Sequence, residues 1–139
     1  MIDTSIIGTK TDWVKVEIEK GAIRKFADAI GSKNPLYFDE DYAREKGFRS
    51  LVCPTTFPAT FHLPKPGIEL ELTRTLHGGQ EYEYERPLVA GDVLQCQSEL
   101  MDVFQRQGKE LMTFYIIETS GKDETGQIVY KSRATIIQR

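Results

Sequence analysis

Few side chains in this 139-residue sequence are placed to do chemistry by themselves. The two cysteines, Cys53 and Cys96, have no metal-like spacing and no histidine at a ligand interval. Cys53 precedes Pro54 at an expected helix start, where a thiolate is favoured. Its neighbours Leu51 and Val52 are apolar, however, and both thiols are expected to be reduced and packed. His62 and His77 lack a histidine, cysteine or carboxylate partner at a convincing interval, so no metal is expected. Gly78-Gly79 precedes a strand pattern rather than a helix and reads as a turn, not a phosphate loop. No cofactor is implied. What stands out is a rigid, aromatic-rich stretch, Gly31 to His62, GSKNPLYFDEDYAREKGFRSLVCPTTFPATFH, lying between a helical pattern and a long series of alternating segments. A connection of that kind is where a ligand is expected.

The elements that would position this stretch follow from periodicity. Trp13–Ile18 alternates Val14, Val16 and Ile18 with Lys15 and Glu17, a half-buried strand, with Trp13 expected to close one end of the core. Ile23, Phe26, Ala27 and Ile30 fall at helical spacing, predicting a helix over Lys20–Ile30 that ends on a left-handed Gly31. Pro35 forces Asn34 into extended geometry. Asp39 is an N-cap for a short helix, EDYAREKG, closed by Gly47. TTFPATFH is expected to form a short buried helix begun near Pro54 or Thr56, with Phe57 and Phe61 on one face. Beyond the Lys65-Pro66-Gly67 turn the period becomes two. Ile68–Leu72, Gln80–Arg86, Val93–Arg106 (with a bulge), Glu110–Thr119 and Gln127–Gln138 read as antiparallel strands, and Gly108-Lys109 and Gly121–Gly126 as turns. His77 is expected in a solvated loop. The order predicts one α+β domain over residues 1–139, with helices on one face of an antiparallel sheet. Its edge strands favour a dimer over a monomer.

Composition narrows the function classes. Apolar residues are 40% and charged residues 28%, as in an ordinary globular chain. The net charge of −3 is no footprint for nucleic acid. No apolar run approaches the ~20 residues of a membrane span. MIDTSIIGTKTDW has no basic start followed by an apolar core, so a cytoplasmic protein is expected.

Two ordered motifs resemble a known family. FADAIGSKNPLYFDEDYAREKGFRSLVCPTTF and LHGGQEYEYERPLVAGDVL are similar to the MaoC-like (R)-specific enoyl-thioester hydratase and dehydratase superfamily, and the likeness runs from about Thr11 to the C-terminus. The resemblance implies the hot-dog fold, a long antiparallel sheet around a central helix, of which the segment begun near Pro54 is a modest version. It implies an acyl-CoA or acyl-carrier-protein thioester as ligand. In the family, a G-D-x-N-P-L-H-x-D run supplies an Asp and a His that handle protons at the β-carbon, while a helix-start amide polarises the thioester carbonyl.

Here that run is Gly31-Ser32-Lys33-Asn34-Pro35-Leu36-Tyr37-Phe38-Asp39. Ser32 stands at the Asp position and Tyr37 at the His position, and neither has useful basicity near neutral pH. Whether the chain is itself an enzyme is therefore open. The departure resembles the N-terminal, non-catalytic half of paired hot dogs. That implies an acyl-thioester-binding subunit of a heteromeric (3R)-hydroxyacyl-thioester dehydratase, with a MaoC-like partner supplying the catalytic pair. Asn34, Tyr37, Phe57 and Phe61 are the candidates for shaping an acyl tunnel, and Thr55 and Thr56 for presenting amides to a thioester. One alternative is a homodimeric hot dog that binds acyl-CoA without catalysis. The other is a thioesterase, which needs an acidic residue that PTTFPATFH lacks.

Overall fold

The alternation at Trp13–Ile18 becomes strand β1, Val14–Glu17, at one edge of a five-stranded sheet. The computed structural model describes residues 2–139. The remaining strands are β2, Thr75–Tyr84, β3, Val93–Gln107, β4, Leu111–Lys122, and β5, Ile128–Gln138. The sheet order is β1-β3-β4-β5-β2, with every pairing antiparallel. β3 carries the expected bulge, between Leu100 and Asp102. Among the described residues, nothing pairs with the outer edge of β2.

Helix α1, Lys20–Ala29, buries Ile23 and Ala27, and ends as the sequence predicts. Gly31 adopts φ +73°, and the Ser32 N–H donates to the Ala27 carbonyl at 2.9 Å, the closing bond of a left-handed helix terminus. Helix α2, Glu40–Glu45, is capped by Asp39, whose carboxylate accepts from the Tyr42 N–H at 3.1 Å. Helix α1 packs Ile23 into the larger of two apolar clusters, with Leu51, Phe57, Leu88, Leu94 and Tyr130. Each such fully buried side chain contributes roughly 1.5–3 kcal/mol. The smaller cluster, Leu100, Ile117 and Ile136, lies further along the same face of the sheet.

Inner-face residues meet in cross-strand rows. Cys96, Gly121, Tyr130 and Tyr84 form one row over β3, β4, β5 and β2. Ser98, Thr119, Ser132 and Tyr82 form the next, and Leu100, Ile117, Ala134 and Gln80 the one beyond.

Five expectations are corrected. The helix expected over TTFPATFH is a single 3-10 turn, Phe57–Thr60, after which Phe61 is already extended. Pro58 removes one donor, and Pro64 holds Leu63 out of helical geometry. Ile68–Leu72 is not a strand. Ile68 and Leu70 instead press on the smaller cluster as an unpaired strap, so the alternation records a one-sided packing surface rather than a ladder. Gly78-Gly79 is not a turn but lies inside β2, where the register shifts between His77 and Gly79. His77 is exposed, as expected, but on that strand rather than in a loop. Trp13 does not close the core: it is 38% exposed, with the Lys122 ammonium 3.9 Å from its ring centre.

Candidate functional site

The Gly31–Asp39 run folds by satisfying its own backbone. Ser32 Oγ accepts from the Asn34 N–H at 3.2 Å, and Asn34 Oδ1 accepts from the Leu36 N–H at 3.0 Å. Pro35 then starts a single turn, Pro35–Tyr37. Tyr37 is half-buried and packs against the larger cluster, and its hydroxyl has no hydrogen-bond partner among the described residues. Ser32 and Asn34 thus shape a turn, and Tyr37 packs. The run contains no carboxylate–imidazole pair.

This turn is bonded directly to the chain's second motif. The Val52 N–H donates to the Leu36 carbonyl at 3.0 Å. The Cys53 N–H donates to the Leu88 carbonyl at 2.8 Å, and the Ala90 N–H to the Leu51 carbonyl at 2.9 Å. Leu51–Cys53 is therefore clamped between NPLY and PLVAGD.

The clamp is locked by Asp92, whose side chain is 5% exposed. Asp92 accepts from Arg86 at 2.9 and 3.1 Å, from Arg49 at 2.9 Å and from the Val89 N–H at 2.8 Å. Burial works against its charge, but the Arg86 guanidinium, the Val89 N–H and Arg49 outweigh burial and hold the carboxyl below the usual carboxylate range. Residue-type reasoning reads PLVAGD only as a connection. The available signal was an Arg and an Asp flanking a short apolar loop.

Beyond the clamp, aromatic rings run across the interior. Phe26 meets Phe57 edge-on at 5.7 Å, Phe57 meets Phe61 at 5.9 Å, and Phe61 meets Tyr130 at 6.1 Å. Tyr130 stacks on Tyr84 at 6.0 Å. The Tyr84 hydroxyl donates to the Thr55 carbonyl at 2.5 Å, tying the Pro54–Thr56 turn to the β2 edge. Burial raises the phenols of both Tyr84 and Tyr130. Burial also pushes the Cys53 thiol up to about 12 and the Cys96 thiol up to about 11. Both cysteines are free and buried, as expected.

A cavity of about 240 Å³ opens beside Phe61. Its roof is the 58–65 segment and its floor the inner face of β3, β4, β5 and β2. The early end of the fold's helix left this floor uncovered. Wider hollows of about 440 and 470 Å³ lie around Glu81 and Arg133 on the opposite face of the sheet. The first is lined mostly by charged groups, among them the Arg133–Glu118 pair at 2.8 Å, and the second holds Glu81, Asp102 and Arg133, so the cavity under Phe61 is the better candidate for an apolar ligand.

The structure gathers the candidates unevenly. Phe57, Phe61 and Tyr37 share one cluster, and Phe61 reaches the cavity. Thr55 and Thr56 are exposed at the turn before Phe57, and Thr56 makes no side-chain cap bond. Ser32 and Asn34 sit on the far side of the Leu51–Cys53 clamp from the 88–90 loop. Among the described residues, no group of three or more His, Cys, Asp or Glu side chains is placed to hold a metal, and no helix is long and apolar enough to cross a membrane.

Residues 5–132 match the family described as FAS1-like, dehydratase domain region. A UPF0336 protein of Thermobifida fusca is 34% identical over 130 residues, 88% of this chain and 84% of that protein. The C-terminally truncated HadBC (3R-hydroxyacyl-ACP dehydratase) complex from Mycobacterium tuberculosis is similar in fold, with a TM-score of 0.79, 22% identity, and coverage of 98% of this chain and 99% of that one. The MaoC-like dehydratase from Rhodospirillum rubrum is similar at a TM-score of 0.68, with 20% identity and coverage of 95% and 91%. The chain belongs to the FAS1-like dehydratase-region family and has the hot-dog fold.

Proposed function

With membership of that dehydratase family as premise, we propose that this chain is the acyl-thioester-binding, non-catalytic subunit of a heteromeric (3R)-hydroxyacyl-thioester dehydratase. The observation that carries the reading is the Gly31–Asp39 turn. Ser32 holds a backbone N–H there and Tyr37 packs against the core, so the two positions that would handle protons are occupied by structural residues. The thioester family is retained in the scaffold, and proton transfer is supplied by a second hot dog carrying an intact Asp and His. The ten-residue β2 edge is the surface on which such a subunit can add its own strand. That one similar structure is described as a HadBC complex supports a paired assembly. In this reading Phe57, Phe61 and Tyr37 wall the acyl site, Asn34 holds the turn that places Tyr37, and the exposed Thr55–Thr56 turn lies where a thioester enters.

The test is isolation of the tagged chain from its source cells under non-denaturing conditions, followed by intact mass and sequencing of what accompanies it. A stoichiometric second hot dog bearing G-D-x-N-P-x-H is expected. Recovery solely as a homodimer would instead support the acyl-binding module.

A further inference from the structure

One end of the sheet's outer face, the face opposite the Phe61 cavity, is apolar. Phe104, Phe114, Ile137 and Leu76 are cross-strand partners in β3, β4, β5 and β2, so four apolar side chains stand in one unbroken row. Phe104 and Phe114 stack at 4.9 Å, and Leu76 is 46% exposed. Gly78 keeps the row level, because a Cβ there would stand 2.6 Å from Ile137 Cδ1. A continuous apolar row on an outer sheet face marks an interaction surface.

The charges beside the row say what fits it. In β3 the strand alternation puts Asp102, Phe104 and Arg106 on this face, with an acid two residues before the ring and a base two residues after it. Both charged side chains are exposed, and among the described residues neither has an ion-pair partner. Asp102 accepts from the Val103 N–H at 2.9 Å, and the Arg106 guanidinium lies 4.8 Å from the centre of the Phe104 ring. A partner of one charge sign would set one of these two against its like. The complement of acid–ring–base is the same strand run in the opposite direction. A two-fold axis along the row lays Phe104 on Phe104 of a second copy and brings each Asp102 against the other copy's Arg106. Sheets packed face to face keep their strands nearly aligned, as this axis does. In β4 the same axis sets Met112 against Ile116, at the hollow of about 470 Å³ that Ile116, Met101, Thr135 and Gly79 line. A flexible thioether suits such an irregular space.

We propose that this outer face is a self-association surface, on which two copies of the chain pack sheet to sheet through the Phe104–Phe114–Ile137–Leu76 row, Asp102 of each paired with Arg106 of the other. The contact leaves the β2 edge free for a second hot dog. It therefore goes beyond the subunit reading, does not rest on it, and doubles whatever assembly forms at that edge.

Sedimentation velocity of the full-length chain tests this. A patch four strands wide is at the small end of specific interfaces, so a step that doubles the mass is expected with a dissociation constant of about 10–100 µM. Raising salt from about 0.05 to 0.5 M should weaken it several-fold. Asp102→Arg and Arg106→Asp, each alone, set like charges together at both ends of the contact and should weaken the step at least about tenfold. The two combined exchange the partners and should restore it. Absence of the step up to about 500 µM, its persistence in both single variants, or its failure to return in a folded double variant overturns the proposal. Should a reversal disturb the bulge beside Asp102 and unfold the chain, methyl NMR of the unaltered chain decides. The Met112, Ile116 and Ile137 signals must then shift together as concentration rises, and movement of the β2 amides without them overturns the proposal.

Discussion

The ring of Tyr130 lies directly on Gly121. The two are cross-strand partners, and a Cβ built on Gly121 would stand 2.2 Å from Tyr130 Cε1. Only glycine lets the phenol lie flat between β4 and the aromatic chain, with its hydroxyl 3.7 Å from Cys96 Sγ and its edge against Phe61. The shape of the cavity wall thus depends on the absence of one methyl group.

Gly121→Ala is therefore expected to cost about 1–3 kcal/mol, as overpacking does. Chemical denaturation would measure it. The same variant should displace Phe61 and weaken ligand binding more than Gly126→Ala, whose turn has no atom within 4 Å of the added carbon.

The Asp92 node predicts an acid limb. Its folded carboxyl titrates below the unfolded value of about 3.9. Its contribution is therefore complete above that value and is lost as pH falls through the depressed folded value. Asp92→Asn should lose about 1–3 kcal/mol near neutrality, since Arg86 and Arg49 can both return to water. It should also flatten the stability profile below about pH 4 relative to the unaltered chain, which thermal melts across that range would show.

Cys53 and Cys96 should be inert while the chain is folded. Burial raises both thiols, to about 12 and about 11, so the thiolate fraction at about pH 8 is small. An aromatic disulfide reagent should leave both unmodified in buffer and titrate both promptly in guanidinium. Rapid reaction of the folded chain would contradict the packing described.

Ser32→Ala combined with Tyr37→Phe removes both hydroxyls from the positions where the family places its acid–base pair. In the proposed reading neither hydroxyl moves a proton, so the partnered enzyme should keep its rate within about threefold. A loss of about 100-fold or more would assign one of them general acid–base work.

Much of this was legible from local pattern. Helix α1, Lys20–Ala29, was legible because its apolar residues recur on one face, and Gly31 follows its end as a left-handed residue. β3 showed its alternation over Val93–Leu100, and β4 its run of β-formers, Phe114–Ile117. What failed were segments whose form depends on distant neighbours. Ile68 and Leu70 alternate like a strand because they lie on the smaller cluster, yet no ladder reaches them. The segment after Pro54 carries apolar residues at helical spacing, and Pro58 and Pro64 cut it to one turn. The role of Asp92 required the 86–92 loop to bring two arginines together, and the outer apolar row required the register of four strands. Neither relationship is complete within any short window of the sequence: Arg86 lies six residues from Asp92, but Arg49 lies 43 away.

In the proposed reading this hot dog binds acyl thioesters without doing the chemistry. Hydration of crotonyl-CoA by the purified chain, free of any second subunit, tests it most directly. No turnover above the uncatalysed rate is expected, with activity appearing when a hot-dog subunit bearing the intact Asp and His is added. Robust turnover by the chain alone would contradict it.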